Sequence, residues 1–240
     1  MEPALGERIQ HIVVLNAYMW VVGESTVFVF DNDRLVNSVT CPAPITCCEY
    51  VPMGAGAEPC LLLGCEDGAL RVLLRGTLHF EAPLRNPVTA LRFEREGPSV
   101  RAPGALQCEV AFGLRSGAWG RLALSPQGME LLSKQPPLGS PVVALHSMVG
   151  LTAASSRDLA VAYASGDIRL FRVGEGGLLP CGEQRVGEAV VNLDSGHVLD
   201  GGTPCLVAHT QGGRLLAYTA AAMPLGASVA EAGNVVRWVK

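Results

Sequence analysis

Charge is scarce in this chain. Asp, Glu, Lys and Arg make up 17% of its 240 residues, against about 25% in an average soluble domain. The balance is close to even, with 18 basic and 22 acidic residues and a net charge of −4. No basic surplus exists to pull toward the phosphate backbone of nucleic acid. Low charge together with 49% apolar residues excludes intrinsic disorder. Aromatic residues supply only 5%. Long apolar runs are missing too: none reaches the ~18 residues of a membrane-spanning helix. The nearest, LLAYTAAAMPLGASVA, is Ala-rich and interrupted by Pro224. The N-terminus, MEPALGERIQ, lacks a basic segment followed by an apolar one, so no secretory signal is expected. No 15-residue stretch sustains helical periodicity; the best prospect is the weak one from Ala220 to Lys240.

Chemical motifs are equally sparse. GxSxG, HExxH, GxxxxGK[ST] and a strand-linked GxGxxG are all absent. Eight cysteines occur at 41, 47, 48, 60, 65, 108, 181 and 205, with no CxxC among them. Cys47 and Cys48 are adjacent and point to opposite faces of a strand. Cys60 and Cys65 lack a second pair at zinc spacing. All eight are expected to be reduced thiols packed as small hydrophobes in a cytosolic protein.

Glycine (28 residues) and proline (16) are plentiful and cut the chain into short pieces. Within them lies a repeat. LLLGCEDGALRVLL (61–74), EVAFGLRSGAWGRLAL (109–124), DLAVAYASGDIRLFRV (158–173) and CLVAHTQGGRLLAYT (205–219) each read as strand, small polar turn, strand. Their turn glycines are Gly68, Gly117, Gly166 and Gly212, spaced 49, 49 and 46 residues apart. Asp-Gly, Ser-Gly and Gly-Gly supply the positive φ of a tight hairpin. A glycine-poor copy, YMWVVGESTVFVF (18–30), opens the chain. A strand precedes each of the later hairpins (45–51, 88–94, 142–149, 190–198), and Pro44, Pro87 and Pro141 mark three of the crossings. A further strand follows four of the five (34–41, 76–83, 128–135, 177–184).

Four short antiparallel strands repeated at this period are the signature of β-propeller blades. The fold class is therefore all-β, a propeller of degenerate WD40-like four-stranded blades, with about five visible. They fall at 8–41, 45–83, 88–135, 142–186 and 190–224, giving a propeller over 1–224 and a tail or linker over 225–240. A pair of β-sandwiches is the competing fold, and it predicts no fixed period.

Candidate chemistry is thin on this frame. His11, His79, His146, His197 and His209 each stand alone. His146 and His209 are expected to be the most buried, with no evident acid or nucleophile paired to either. Asp194 and Asp200, in VNLDSGHVLDGG, offer an oxygen-rich loop without EF-hand spacing. Arg71, Arg121, Arg169 and Arg214 follow the turn glycines and read as solvated strand positions or a weakly basic stripe. Trp20, Trp119 and Trp238 share no common blade position, so no aromatic ring for sugar stacking is supported. No catalytic, cofactor or metal residues are assigned and no cofactor is expected.

The order of the blades adds a resemblance. No Gly-His or Trp-Asp pair of ordinary WD repeats stands in place. Segments 60–94, 109–124, 158–173 and 205–219 instead resemble, in order, the propellers of the Bardet-Biedl syndrome proteins of the ciliary coat. That family's propeller has seven blades and continues into a coiled coil, an ear-like β domain and helical parts, so this chain resembles a partial or shortened form. The resemblance implies a non-enzymatic scaffold of the BBSome, the coat-like complex that links membrane-protein cargo to intraflagellar transport. It implies other BBSome subunits as partners, the Bardet-Biedl syndrome 2 protein and the ninth subunit most directly. Membrane cargo is then met through the complex, without nucleic acid and without direct membrane insertion. The implied location is the cytoplasm, the cilium or flagellum and the basal body, peripheral to membrane. The alternatives are a generic cytosolic propeller adaptor, or a cation- or ligand-binding propeller enzyme using the Asp194/Asp200 loop or a central pocket.

Overall fold

The computed structural model describes residues 6–15, 18–52, 60–74, 76–98, 106–125, 127–174, 177–197, 203–223 and 236–238. Its strands form five four-stranded sheets in chain order. The first contains β1 (His11–Leu15), β2 (Tyr18–Val22), β3 (Thr26–Asp31) and β4 (Arg34–Thr40). The second contains β5 (Ile45–Val51), β6 (Cys60–Cys65), β7 (Ala69–Leu74) and β8 (Thr77–Pro83). The third contains β9 (Val88–Pro98), β10 (Leu106–Leu114), β11 (Trp119–Ser125) and β12 (Gly128–Gln135). The fourth contains β13 (Val142–Val149), β14 (Arg157–Tyr163), β15 (Asp167–Gly174) and β16 (Gly177–Arg185). The fifth contains β17 (Val190–Gly196), β18 (Cys205–Thr210), β19 (Leu215–Tyr218) and β20 (Val236–Trp238). This is a propeller of about five blades, as the repeat predicts.

The segment expected as a tail contributes to the last sheet. Val236–Trp238 pairs with β19 through Leu215↔Trp238 and Ala217↔Val236. Of the weak helical prospect, the described residues form a 3-10 turn at Ala220–Ala222 and the strand Val236–Trp238.

Position within a sheet decides composition. The middle strands are covered on both faces and read as unbroken apolar runs: CLLLGC in β6 is buried at every residue. The fourth strands are outer edges, and β4 and β8 alternate between exposed and half-buried residues.

The chain divides into two compact units, residues 1–110 with 122–130 and residues 111–121 with 131–240. In the first, Trp20, Val22, Val27 and Val29 pack with Ile45, Leu61, Leu63 and Leu73 to bind the first sheet to the second. In the second, Ala160, Ala162, Ile168 and Leu170 pack with Leu193, Leu206, Ala208 and Tyr218 to bind the fourth sheet to the fifth. Trp119 also lies against Phe171, with ring centroids 4.7 Å apart.

The turn glycines lock these sheets. Gly68, Gly117 and Gly166 all have positive φ. Each faces the connection that leaves its own sheet: a Cβ on Gly68 would lie 2.5 Å from the Asn86 nitrogen, and those on Gly117 and Gly166 would meet the Ser140 and Glu188 carbonyls. Leu84 and Val186 donate their N–H groups to the carbonyls of Gly68 and Gly166, both at 2.8 Å. In the fifth sheet the left-handed residue is Gly213, not Gly212.

The two kinds of glycine should respond differently to substitution. Gly68→Ala combines left-handed strain with a backbone collision, whereas Gly213 has nothing within 4 Å. Gly213→Ala is expected to cost about 1 kcal/mol, the left-handed penalty alone. Gly68→Ala should cost about 2–3 kcal/mol or more. Urea unfolding of the two variants checks the ranking.

Candidate functional site

Within each unit two first strands run side by side, β5 next to β9 and β13 next to β17. This brings together one position that recurs in each. Glu49 sits opposite Leu62, His146 opposite Ala160 and Asp194 opposite Val207. Arg92 is the fifth residue of β9, as Glu49, His146 and Asp194 are of their own strands.

In the first unit this position sets the Arg92 charge near Glu49. The Glu49 carboxylate accepts the Phe93 N–H at 2.9 Å. Burial pushes its carboxyl above the usual range, while the Phe93 hydrogen bond and the Arg92 charge pull it back. Thr46 donates its hydroxyl to the Val88 carbonyl and so fixes the same two strands. Beside them a groove of about 430 Å³ opens among His11, Val13, Glu49, Tyr50, Arg92 and Phe93.

In the second unit His146 is 3% exposed. Its Nε2 lies 2.9 Å from Ser195 Oγ and 4.0 Å from Asp194 Oδ1. Sequence reasoning gave His146 no partner. The signal was the parallel between VVALH (142–146) and VVNLD (190–194). The trio is not a nucleophile triad: hydroxyl and carboxylate meet the same ring nitrogen, whereas activation of serine needs them on opposite nitrogens.

Several expectations change. His209 is exposed rather than buried. It follows Ala208, which faces the core shared with the fourth sheet, so strand alternation turns His209 outward. His11, His79 and His197 are exposed as well. Asp194 lies on β17 and faces His146, while Asp200 lies outside the described residues. Among the described residues no group of three or more His, Cys, Asp or Glu side chains is placed to hold a metal ion.

The arginines are not a solvated stripe. Arg71 is 3% exposed and Arg121 7%. Arg71 grips both oxygens of Asp67, at 3.1 and 2.7 Å, and its Nε reaches Glu81 at 2.7 Å. Its guanidinium holds the Asp67 carboxyl below the usual range. Arg214 pairs with Glu188, and Arg185 with Asp167 at 3.0 Å. These side chains tie hairpin turns to neighbouring strands, and Trp20 and Trp119 are core residues.

All eight cysteines are free, with five buried and Cys47, Cys48 and Cys181 half-buried. Burial pushes the thiols of Cys47, Cys48 and Cys60 up to about 12 and that of Cys108 to about 11. Cys41 and Cys65 hydrogen-bond to each other, which raises the first and lowers the second.

Two measurements follow. In the native protein at pH 8, thiol titration should find the buried cysteines slow to react and release all eight only on denaturation. The second concerns Glu7, whose carboxylate accepts the Ser25 and Thr26 N–H groups at 3.0 and 3.1 Å. The Ser25 N–H, chiefly, holds Glu7 below its ordinary 4.5. A depressed carboxyl adds stability above its unfolded value and loses it as pH falls through the folded one. Glu7→Gln should therefore lower the melting temperature at pH 7 by about 2–4 °C. That gap should close toward pH 2–3, as thermal melts across pH would show.

Comparison with known proteins places this geometry. A search of curated proteins finds no match. Among solved structures, the crystal structure of BBS1N in complex with ARL6DN superposes with a TM-score of 0.59 at 13% identity, covering 84% of this chain and 61% of that one. Saccharomyces cerevisiae Sqt1 superposes at 0.65, also at 13% identity, covering 85% of this chain and 55% of that one. At such identity both show the fold alone, and the chain spans less than two thirds of either. The family match is by sequence: residues 1–220 fit the BBS7 β-propeller, and the chain belongs to that family.

Proposed function

We propose that the chain is a non-enzymatic scaffold propeller of the BBSome, serving membrane-protein trafficking to and within cilia. The observation that carries this reading is the match to the BBS7 β-propeller over residues 1–220. The internal chemistry agrees with it. His146, Ser195 and Asp194 are arranged to hold adjacent strands together, and Arg71, Asp67 and Glu81 to hold a turn. A propeller of the same fold, BBS1N, has been solved in complex with ARL6DN, an instance of this architecture meeting a protein partner.

On this reading the direct partners are other BBSome subunits, the Bardet-Biedl syndrome 2 protein and the ninth subunit first. Cargo is met through the assembled complex, in the cytoplasm, cilium and basal body. No helix among the described residues is long and apolar enough to cross a membrane.

A tagged pull-down from ciliated cells of the source organism, read by mass spectrometry, tests the proposal. The expected outcome is recovery of the other BBSome subunits in near-equal amounts. Recovery of unrelated cytosolic partners alone would favour a generic adaptor and overturn it.

A further inference from the structure

The groove beside β1, β5 and β9 has polar capacity that the fold does not use. Among the described residues no hydrogen bond or ion pair holds the Arg92 guanidinium, the His11 imidazole or the Tyr50 hydroxyl. Arg92 is half-buried and feels Glu49 only as a nearby charge. Glu49 itself is tied to the Phe93 N–H. The groove therefore presents a guanidinium fork, a histidine and a hydroxyl, with the Glu49 carboxylate drawn toward the Phe93 N–H, between apolar walls of Ile12, Val13 and Phe93. Ile12 stands 57% exposed at its edge.

We infer that this groove binds a short acidic peptide segment of a partner protein, with an Asp or Glu carboxylate seated on Arg92. A guanidinium presents parallel N–H donors that match a carboxylate bidentately. The volume of about 430 Å³ admits more than a lone ion, and the apolar walls have room for flanking side chains. A polyanion such as nucleic acid fits poorly, because a single cation in a chain of net charge −4 cannot neutralise a run of phosphates. The inference rests on the protein-binding reading above and names the chemistry of one contact.

The test uses the intact chain and dye-labelled ten-residue peptides in fluorescence anisotropy. One peptide alternates Glu with Thr, a second Gln with Thr, a third Lys with Thr. The Glu peptide should bind at least about tenfold more tightly than the other two, as a charge-assisted hydrogen bond allows. Arg92→Gln should remove that preference, Arg92→Lys should keep part of it, and Arg34→Gln on the exposed face of β4 should leave it intact. Circular-dichroism melts check that Arg92→Gln folds, and Tyr50→Phe gives a milder variant expected to weaken binding several-fold. Equal binding of the Glu and Gln peptides, an unchanged Arg92→Gln, or a preference for the Lys peptide would overturn the inference. So would Arg92-dependent binding to phosphatidylserine vesicles without peptide binding. If BBSome subunits still co-purify while the peptide preference fails, only this inference falls. If the subunits fail to co-purify, the scaffold reading falls separately.

Discussion

The fold depends on a turn held between two connections. In each sheet the chain enters, forms the hairpin between the second and third strands, and leaves past that hairpin's tip. The entering chain accepts a hydrogen bond from the tip: Glu66 N–H to the Pro44 carbonyl, Ala164 to Pro141, Gln211 to Ala189. The leaving chain donates one back, as Leu84 does to Gly68 and Val186 to Gly166. The tip must turn left-handed and present no side chain, which only glycine does without strain. In the first sheet a carboxylate serves in place of a left-handed glycine, and the last sheet adds one beside its own left-handed Gly213. Glu7 caps the tip at Ser25 and Thr26, and Glu188 accepts the Gly212 N–H while pairing with Arg214.

With the tips pinned, β5 lies close against β9 in one unit and β13 against β17 in the other. Even the second strand is reached: a Cβ on Gly64 of β6 would stand 2.7 Å from a methyl of Val88, at the start of β9. The more buried carboxylate and imidazole at this seam need partners, because a buried unpaired polar group costs about 1–3 kcal/mol. Glu49 finds one in the Phe93 N–H and His146 in the Ser195 hydroxyl, each with a group of complementary charge nearby. Glu49 faces Arg92 in one unit and His146 faces Asp194 in the other. A grouping that resembles catalytic machinery on a list of residues is, in its geometry, a lace between strands.

This explains what was legible in the sequence. The glycine tips are local, fixed by the backbone conformation of a few residues, and they announced the repeat. The apolar runs of β6 and β11 were legible for a related reason, since strands covered on both faces need no alternation. The seam partners were harder. His146 and Ser195 are 49 residues apart, and only the register of two different sheets brings them together. The buried arginines misled because an arginine after a turn usually reaches solvent. Here Arg71 bends back onto Asp67, four positions earlier, and across the strand to Glu81. The fourth strand of the last sheet was illegible because it is only three residues long and about 18 residues beyond its partner β19.

The outer strands carry features that oppose aggregation. An exposed sheet edge invites pairing with any free strand. Here the outermost pairs carry a bulge at a recurring place: Val29/Phe30, Val72/Leu73 and Leu170/Phe171. A bulge breaks the ladder and increases the local twist, so a flat partner strand cannot add to it. Between these bulges the outer strands still expose Leu35, Val36, Leu78, Leu131 and Leu179. Charged neighbours such as Arg34, Glu81, Glu130 and Arg185 interrupt them. Such edges resist strand addition yet offer apolar side chains within a polar surround. Any recognition at such a rim has to be shape- and side-chain-specific rather than by strand addition.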